Sequence, residues 1–242
     1  MNFVPLYTRS EYSMLQSTCS ISSLVSNALS YGCTSIAITD EGVMYGALKF
    51  YNECKKNNIK PIIGLKVPYV INGIISNILL YAMDIQGYRN LMRISSRYKI
   101  TNSPIDIEDL RKCSLGVLAI TPGLDNIIYT YLRNQNLKNL LEHYNILNSV
   151  FCDLYCGITL TTITDRENLK YYYDTLKRQN IKCVSLQPVY FQNPNDLDAY
   201  EVLKAISNNG NLQKLTESET NSYFLSNEEM ELLFKQYPEL FK

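Results

Sequence analysis

Hydrophobic positions along the chain recur with two periods, one typical of amphipathic helices and one typical of short buried strands. The run ISSLVSNALSYG predicts a helix that ends at Gly32, with one apolar face formed by Ile21, Leu24, Val25, Ala28 and Leu29. The short runs TSIAIT, LGVLAIT and KCVSL predict buried strands. The runs KPIIGLKVPYV and IISNILLYA predict two paired strands.

Helical periodicity continues in GVMYGALKFYNECKKNN, in residues 87–98 and 126–147, in ENLKYYYDTLKRQN and in NDLDAYEVLKAISNNG. The run VFCDLYC predicts a strand that contains Asp153, and Ser226 with Glu229 forms a capping-box pattern ahead of a last helix. The polar segment NNGNLQKLTESETNSYF predicts a surface loop. The alternation of strands and helices predicts an α/β fold in which a parallel sheet closes into a barrel. Residues 1–242 are predicted to form a single domain.

Composition and charge narrow the classes of function. The chain has 242 residues, of which 46% are hydrophobic and 19% charged, and its formal net charge is zero. A protein that binds nucleic acid tightly usually has a basic excess, so the chain alone is a poor candidate for tight DNA binding. No signal-peptide pattern opens the chain, and no apolar run reaches the ~20 residues that span a bilayer. We therefore expect a cytoplasmic protein without a membrane contact.

Barrels of this kind place their chemistry at the carboxyl ends of the strands. Asp40 and Glu41 follow TSIAIT and Asp153 lies in VFCDLYC, so these carboxylates could hold Mg²⁺. Alternatively, Asp40 caps a turn and Glu41 begins a helix. The positive charges of Arg9 and Lys66 disfavour the metal hypothesis.

Other kinds of site have weaker support. The single histidine, His143, lies in a helical segment, which leaves no set of imidazole ligands and no usual base for a Ser or Cys nucleophile. The pair Cys152 and Cys156 has no second pair beside it, so buried thiols are a better interpretation than a zinc site. Neither GxGxxG nor GxxxxGK[ST] occurs, so no phosphate-binding loop is predicted.

Several blocks together resemble a known family. The segments FVPLYTRSEYSMLQ, SIAITDEGVMYGALKFYNECKKNNIKPIIGLKV, GYRNL, LGVLAITPG and CVSLQPVYF are similar to the N-terminal PHP (polymerase and histidinol phosphatase) domain of the alpha subunit of bacterial DNA polymerase III. The similarity covers nearly the whole chain, in order. It implies a distorted (β/α)7 barrel, the PHP fold. It also implies that residues 1–242 are an N-terminal fragment of a much longer polymerase subunit.

The resemblance also implies a degenerate metal site. Where metal-bearing members of the family carry histidine ligands, this chain has Pro5, Tyr7, Arg9, Glu41, Asn77 and Tyr190. Where they carry carboxylate ligands, it has Asp40, Lys66, Asp153 and Pro188, and Gln187 replaces an asparagine. We therefore expect no catalytic residue and no metal or other cofactor in this domain, with Asp40, Glu41 and Asp153 as remnants. We expect Tyr7 and Tyr190 to fill the vacated pocket and Arg9 to pair with Asp40 or Glu41.

The function implied by the resemblance is that of a non-catalytic, structural PHP domain in a replicative DNA polymerase. The parent would carry out template-directed DNA synthesis with Mg²⁺ held by its palm, and would supply the contact with DNA. Expected partners are the polymerase core domains of the same chain, a proofreading exonuclease subunit in some relatives, and other replisome components. The alternative is a residual Mg- or Mn-dependent phosphoesterase or proofreading exonuclease that uses the remaining carboxylates.

Overall fold

A computed structural model describes residues 3–210 and 214–241 of the chain. Its strands are β1 (Tyr7–Thr8), β2 (Ser35–Ile38), β3 (Lys60–Ile71), β4 (Ile74–Ala82), β5 (Ile105–Asp106), β6 (Val117–Thr121), β7 (Leu154–Ile158), β8 (Cys183–Ser185) and β9 (Pro188–Val189). Its helices are α1 (Ile21–Ser30), α2 (Ala47–Lys56), α3 (Ile85–Thr101), α4 (Ile107–Lys112), α5 (Ile127–Arg133), α6 (Leu137–Asn148), α7 (Ile163–Glu167), α8 (Leu169–Arg178), α9 (Leu197–Ser207), α10 (Glu217–Thr220) and α11 (Asn227–Leu233). Within these ranges no helix combines the length and apolar character needed to cross a membrane.

Seven of the strands form one curled sheet in the order β2-β3-β4-β6-β7-β8, with β5 beside the end of β3, and β1 and β9 form a second, two-stranded sheet. Strand β1 pairs with β9, and the bonds from Ala37 N to Pro5 O and from Thr39 N to Thr8 O join β1 to β2. The bond from Leu186 N to Ile158 O extends the pairing of β7 and β8 towards β9. Hydrogen bonds therefore run around a distorted barrel, which confirms the predicted fold class.

The prediction of a parallel sheet is wrong at one strand. Strand β4 is antiparallel to both β3 and β6, whereas β2–β3, β6–β7 and β7–β8 are parallel. The reversal follows from the turn at Asn72 and Gly73, whose φ angles of 50° and 78° fit the type I′ turn that an Asn-Gly pair favours. Such a two-residue turn joins antiparallel neighbours, so the predicted pairing of these two runs is confirmed.

Helix α1 shows how far the apolar periodicity predicts burial. Four of its five predicted face residues are buried, namely Ile21, Leu24, Val25 and Ala28. Leu29 is 52% exposed, because at ~100° per residue it lies at the edge of that face. The main core lies between the sheet and the helices that follow β4, and it includes Leu65, Val67, Leu80, Ala119 and Leu154.

The prediction of a loop over NNGNLQKLTESETNSYF is only partly correct. Residues 211–213 of this segment lie outside the described residues, while Leu215 and Phe224 are buried. Thr216 caps the short helix α10, and the Glu219 side chain accepts a hydrogen bond from the Thr216 backbone in return. The T-x-x-E pattern of this capping box is present in the sequence and predicts the helical turn. The predicted capping box of Ser226 and Glu229 is confirmed at the start of α11.

Candidate functional site

One end of the barrel collects charged and aromatic side chains from strands that are far apart in the chain. Arg9 directly follows β1, Glu41 follows β2 and forms a parallel bridge with Lys66 of β3, and Tyr190 follows β9. Asp125 ends a 3₁₀ turn, Gly123–Asp125, that comes directly after β6. These five side chains line a cavity of about 690 Å³, which we call the barrel mouth.

Two cations and two carboxylates form a compact cluster in the barrel mouth. Lys66 Nζ lies 3.0 Å from Asp125 Oδ2 and 3.1 Å from Glu41 Oε2. Arg9 Nη2 lies 3.2 Å from the same Glu41 oxygen and 3.7 Å from the same Asp125 oxygen. Both cations are buried, with side-chain exposures of 6% for Arg9 and 5% for Lys66. The cluster is therefore neutral in formal charge, and each carboxylate faces two positive groups.

Tyr7 and Tyr190 fill the space around this cluster, as expected from the sequence. The Tyr7 hydroxyl donates to Asp125 Oδ2 and accepts a bond of 3.1 Å from Arg9 Nη2. The Tyr190 hydroxyl donates to the Tyr7 oxygen over 3.2 Å, and its ring centroid lies 4.2 Å from the Arg9 guanidinium carbon. Burial raises the pKa of both phenols, against the lowering effect of the Arg9 charge. Both tyrosines are therefore neutral donors.

Asp125 is the residue of this cluster that the sequence interpretation missed. Burial alone would raise the pKa of its carboxyl, but the charges of Lys66 and Arg9 outweigh burial and the pKa falls to about 2. A signal was available, because Asp125 lies only four residues after the carboxyl end of β6, where barrel chemistry is expected. Arg9 therefore pairs with Glu41 and Asp125, so its predicted pairing with Glu41 is confirmed.

Asp40 stands apart from the cluster. Its buried carboxylate accepts hydrogen bonds from Ser10 N at 2.7 Å, Ser10 Oγ at 2.8 Å and Ser13 Oγ at 2.6 Å. No cation of the described chain forms an ion pair with it, and burial raises its pKa although the three hydrogen bonds oppose this. Asp40 thus holds the S-E-Y-S turn against the end of β2, and its alternative pairing with Arg9 is not observed.

Asp153 lies at the opposite end of the barrel, which corrects its grouping with Asp40 and Glu41. Strand β7 begins at Leu154, after Asp153, so this carboxylate precedes the strand instead of following it. Its side chain pairs with Lys182 Nζ at 3.1 Å, just before the parallel strand β8. Since β6 and β7 are parallel, the amino end of β7 is remote from the 3₁₀ turn that carries Asp125. Asp153 is a half-exposed surface residue.

The remaining predicted positions have backbone or packing roles. Pro5 and Asn77 contribute carbonyl oxygens, which accept from Ala37 N and from Asn126 Nδ2. Gln187 Nε2 donates to Asn221 O over 2.8 Å. His143 is buried, and its Nε2 lies 2.8 Å from the Tyr69 hydroxyl, outside the barrel mouth. Cys156 is buried, as predicted, whereas Cys152 is exposed, so the prediction of a buried thiol is wrong at that position; both are free thiols.

The barrel mouth does not fit a metal ion. Across residues 3–210 and 214–241, no three His, Cys, Asp or Glu side chains come together as a possible ligand set. Glu41 and Asp125 already face Lys66 Nζ at 3.1 and 3.0 Å, so a divalent ion between them would lie close to that ammonium. At ~4 Å such a contact is repulsive by on the order of several kcal/mol at the effective dielectric constant of a protein surface. The carboxylates are neutralised by side chains of the protein itself.

Comparison with known proteins bears on the family and the fold of the chain. A family model described as PHP domain matches residues 5–162. The chain is 31% identical over 252 residues to DNA polymerase III subunit alpha of Bacillus subtilis, covering 99% of this chain and 22% of that protein. It is 27% identical to DNA polymerase III subunit alpha of Chlamydia muridarum, covering 99% of this chain and 23% of that protein.

The structural comparison supports the fold alone. An amidohydrolase from Chromobacterium violaceum superposes with a TM-score of 0.53 at 11% identity, covering 78% of this chain and 87% of that chain. The curated relatives are much longer than this chain, which spans less than a quarter of the length of those two polymerase subunits.

Proposed function

Since the chain belongs to the PHP domain family, we propose that it is a non-catalytic, structural PHP domain of a bacterial replicative DNA polymerase. Its relatives over the whole chain are alpha subunits of DNA polymerase III, which supports the polymerase context. In this proposal the parent protein carries out template-directed DNA synthesis in the cytoplasm, with Mg²⁺ held by another domain. The present domain supports the polymerase core of the same chain.

One observation carries the non-catalytic part of the proposal. Lys66 Nζ sits between Glu41 and Asp125, within 3.1 Å of an oxygen of each. An ammonium in this position supplies the positive charge that a metal ion would supply, but it cannot activate water or polarise a phosphoryl oxygen as a Lewis acid does. The cluster therefore stabilises the closed barrel instead of supporting hydrolysis.

A structural role fits the position of the cluster. It ties together the segments after β1, β2, β6 and β9 with the middle of β3, which lie far apart in the chain. Charge-assisted contacts between such segments hold the barrel mouth in one arrangement. A rigid barrel would offer fixed surfaces to the polymerase core and, in some relatives, to an exonuclease subunit; these partners are part of the proposal.

Metal analysis and a phosphodiesterase assay test the proposal together. The purified chain is analysed for bound metal after dialysis, and hydrolysis of a chromogenic phosphodiester is followed with added Mn²⁺ or Mg²⁺. We expect substoichiometric metal and a rate equal to that of the Asp125→Asn and Asp40→Asn variants. Stoichiometric metal, together with turnover that either substitution abolishes, would instead establish a residual phosphoesterase that uses the remaining carboxylates.

A further inference from the structure

Helix α3 has an unusual distribution of charge. Over its 17 residues, IQGYRNLMRISSRYKIT, it contains Arg89, Arg93, Arg97 and Lys99 and no acidic residue. The chain as a whole has equal numbers of acidic and basic residues, so this helix is a local concentration of positive charge. The buried face of α3 is formed by other residues, namely Gly87, Asn90, Leu91, Ile94 and Ser95.

The three arginines form one exposed row, which we call the α3 arginine row. They occur at intervals of four residues, so they lie on the same side of the helix at a spacing of ~6 Å along its axis. All three are exposed, as is Ser96 between the last two. Exposed apolar side chains flank the row, with Ile85 one turn before Arg89, Met92 at the edge of the face and Ile100 at its carboxyl-terminal end.

Most of the charge in the row is not neutralised by the protein. Arg97 pairs with Asp109 at 2.6 Å and approaches Asp106 at 3.8 Å. Arg93 donates only to the neutral Asn90 side chain, at 3.1 Å. Within the described residues, neither Arg89 nor Arg93 has an acidic partner. Two full positive charges and part of a third therefore remain available to a partner.

We infer that the α3 arginine row binds the phosphodiester backbone of nucleic acid, which goes beyond the structural role proposed above. The planar guanidinium group matches phosphate oxygens and donates two parallel hydrogen bonds to them. A regular row of arginines fits a polymer whose negative charges repeat along a line. Protein–DNA interfaces are much more positively charged than protein–protein interfaces, which agrees with a helix that carries three exposed arginines and no acidic residue.

The expected binding is weak and independent of base sequence. The inferred contacts are to phosphate groups, and phosphate contacts by themselves carry no sequence information. Three contacts predict a salt slope, the change in log affinity with log salt concentration, of about −2 on single strands and about −2.7 on duplex DNA. The zero net charge of the chain remains consistent with the expectation that it does not bind DNA tightly on its own.

Fluorescence anisotropy with a labelled oligo(dT) and with a duplex of equal length tests the inference at salt concentrations from about 25 to 200 mM. The double variant Arg89→Gln/Arg93→Gln should weaken binding about tenfold or more at the lowest salt, and should reduce the salt slope on oligo(dT) to about −0.7. The matched control is Lys170→Gln/Arg178→Gln, which removes two exposed positive charges from α8. This control should retain the affinity and slope of the unmodified chain.

Three outcomes would overturn the inference. One is absence of binding to either DNA, and another is an equal loss in the test and control variants. In the third outcome, polyglutamate and unlabelled oligo(dT) displace the labelled DNA equally well at equal concentrations of negative charge. That result would indicate that the row binds an acidic protein surface. The ratio of the affinities for oligo(dT) and for the duplex at the same salt concentration identifies which form of DNA is preferred. None of these outcomes bears on the metal analysis, so the structural role is judged separately.

Discussion

Lys66 offers the sharpest test of the charge cluster. Replacement by Met keeps a flexible, apolar stem of similar length and removes the buried ammonium that lies 3.0 Å from Asp125 and 3.1 Å from Glu41. Arg9 remains, so each carboxylate keeps one positive neighbour. The substitution therefore removes charge compensation without opening a large cavity.

The size of the effect follows from Asp125. Its pKa is about 2 in the folded protein, against an unfolded value of ~3.9, and this difference corresponds at most to about 2.5 kcal/mol of folding free energy. Lys66 shares this contribution with Arg9 and Tyr7, and the Asp125 side chain is 37% exposed, so solvent screening lowers it further. We expect Lys66→Met to lower the free energy of unfolding at pH 7 by about 1–2 kcal/mol.

The sign of the pH dependence gives a second readout. A carboxyl whose pKa is lowered on folding stabilises the protein above its unfolded pKa, and this stabilisation is lost as pH falls through the folded pKa. The contribution of Asp125 is thus complete above about pH 4 and disappears towards about pH 2. In the Lys66→Met variant the contribution of Asp125 is smaller. The free energies of unfolding of the variant and of the original chain should therefore converge as the pH falls across this range.

Urea unfolding between pH 7 and pH 2.5 measures both effects, and Lys182→Met is the matched control. Lys182 also pairs with an aspartate, at 3.1 Å from Asp153, but its side chain is 54% exposed and lies at the other end of the barrel. Surface pairs of this kind contribute little, so the control should unfold like the original chain. Equal stability of Lys66→Met and Lys182→Met, or a difference that stays constant down to pH 2.5, would refute the proposed role of the cluster.

Three further predictions concern other parts of the fold. Asp40→Asn should change the free energy of unfolding by less than about 1 kcal/mol, because an amide can still form hydrogen bonds with the Ser10 and Ser13 groups. Asp40→Ala should lower the free energy of unfolding by about 2–3 kcal/mol, because it leaves three buried donors without an acceptor, and equal losses for the two variants in urea unfolding would contradict this. Burial lowers the pKa of His143 from 6.5, so the free energy of unfolding should fall as the pH drops below about 6.5. His143→Gln should remove that part of the pH dependence, and the same pH dependence in the variant and the original chain would contradict the prediction. Gly87→Ala should lower stability by about 3 kcal/mol, because an added Cβ would lie 1.8 Å from the Gly116 carbonyl oxygen, and a thermal midpoint equal to that of the original chain would show that the backbone adapts.

Local patterns in the sequence were sufficient for most helices and strands. The buried face of α1, the Asn-Gly turn between β3 and β4, and the capping box of α11 each depend on residues close together in the chain. A local pattern fixes local structure because backbone hydrogen bonds, turn geometry and amphipathic burial act over a few residues. The scarcity of histidine is likewise visible without a structure, and it underlies the expectation of a degenerate site.

The exact start of a strand and the partners of each charge required the tertiary structure. The apolar run of β7 does not reveal that Asp153 precedes the strand, and nothing near Arg9 indicates that it pairs with Glu41 and Asp125 instead of Asp40. Asp125 meets Lys66 only because the turn after β6 closes over the middle of β3, 59 positions earlier in the chain. Such contacts depend on strand order and register around the whole barrel, which are set by long-range packing and not by any single stretch of residues.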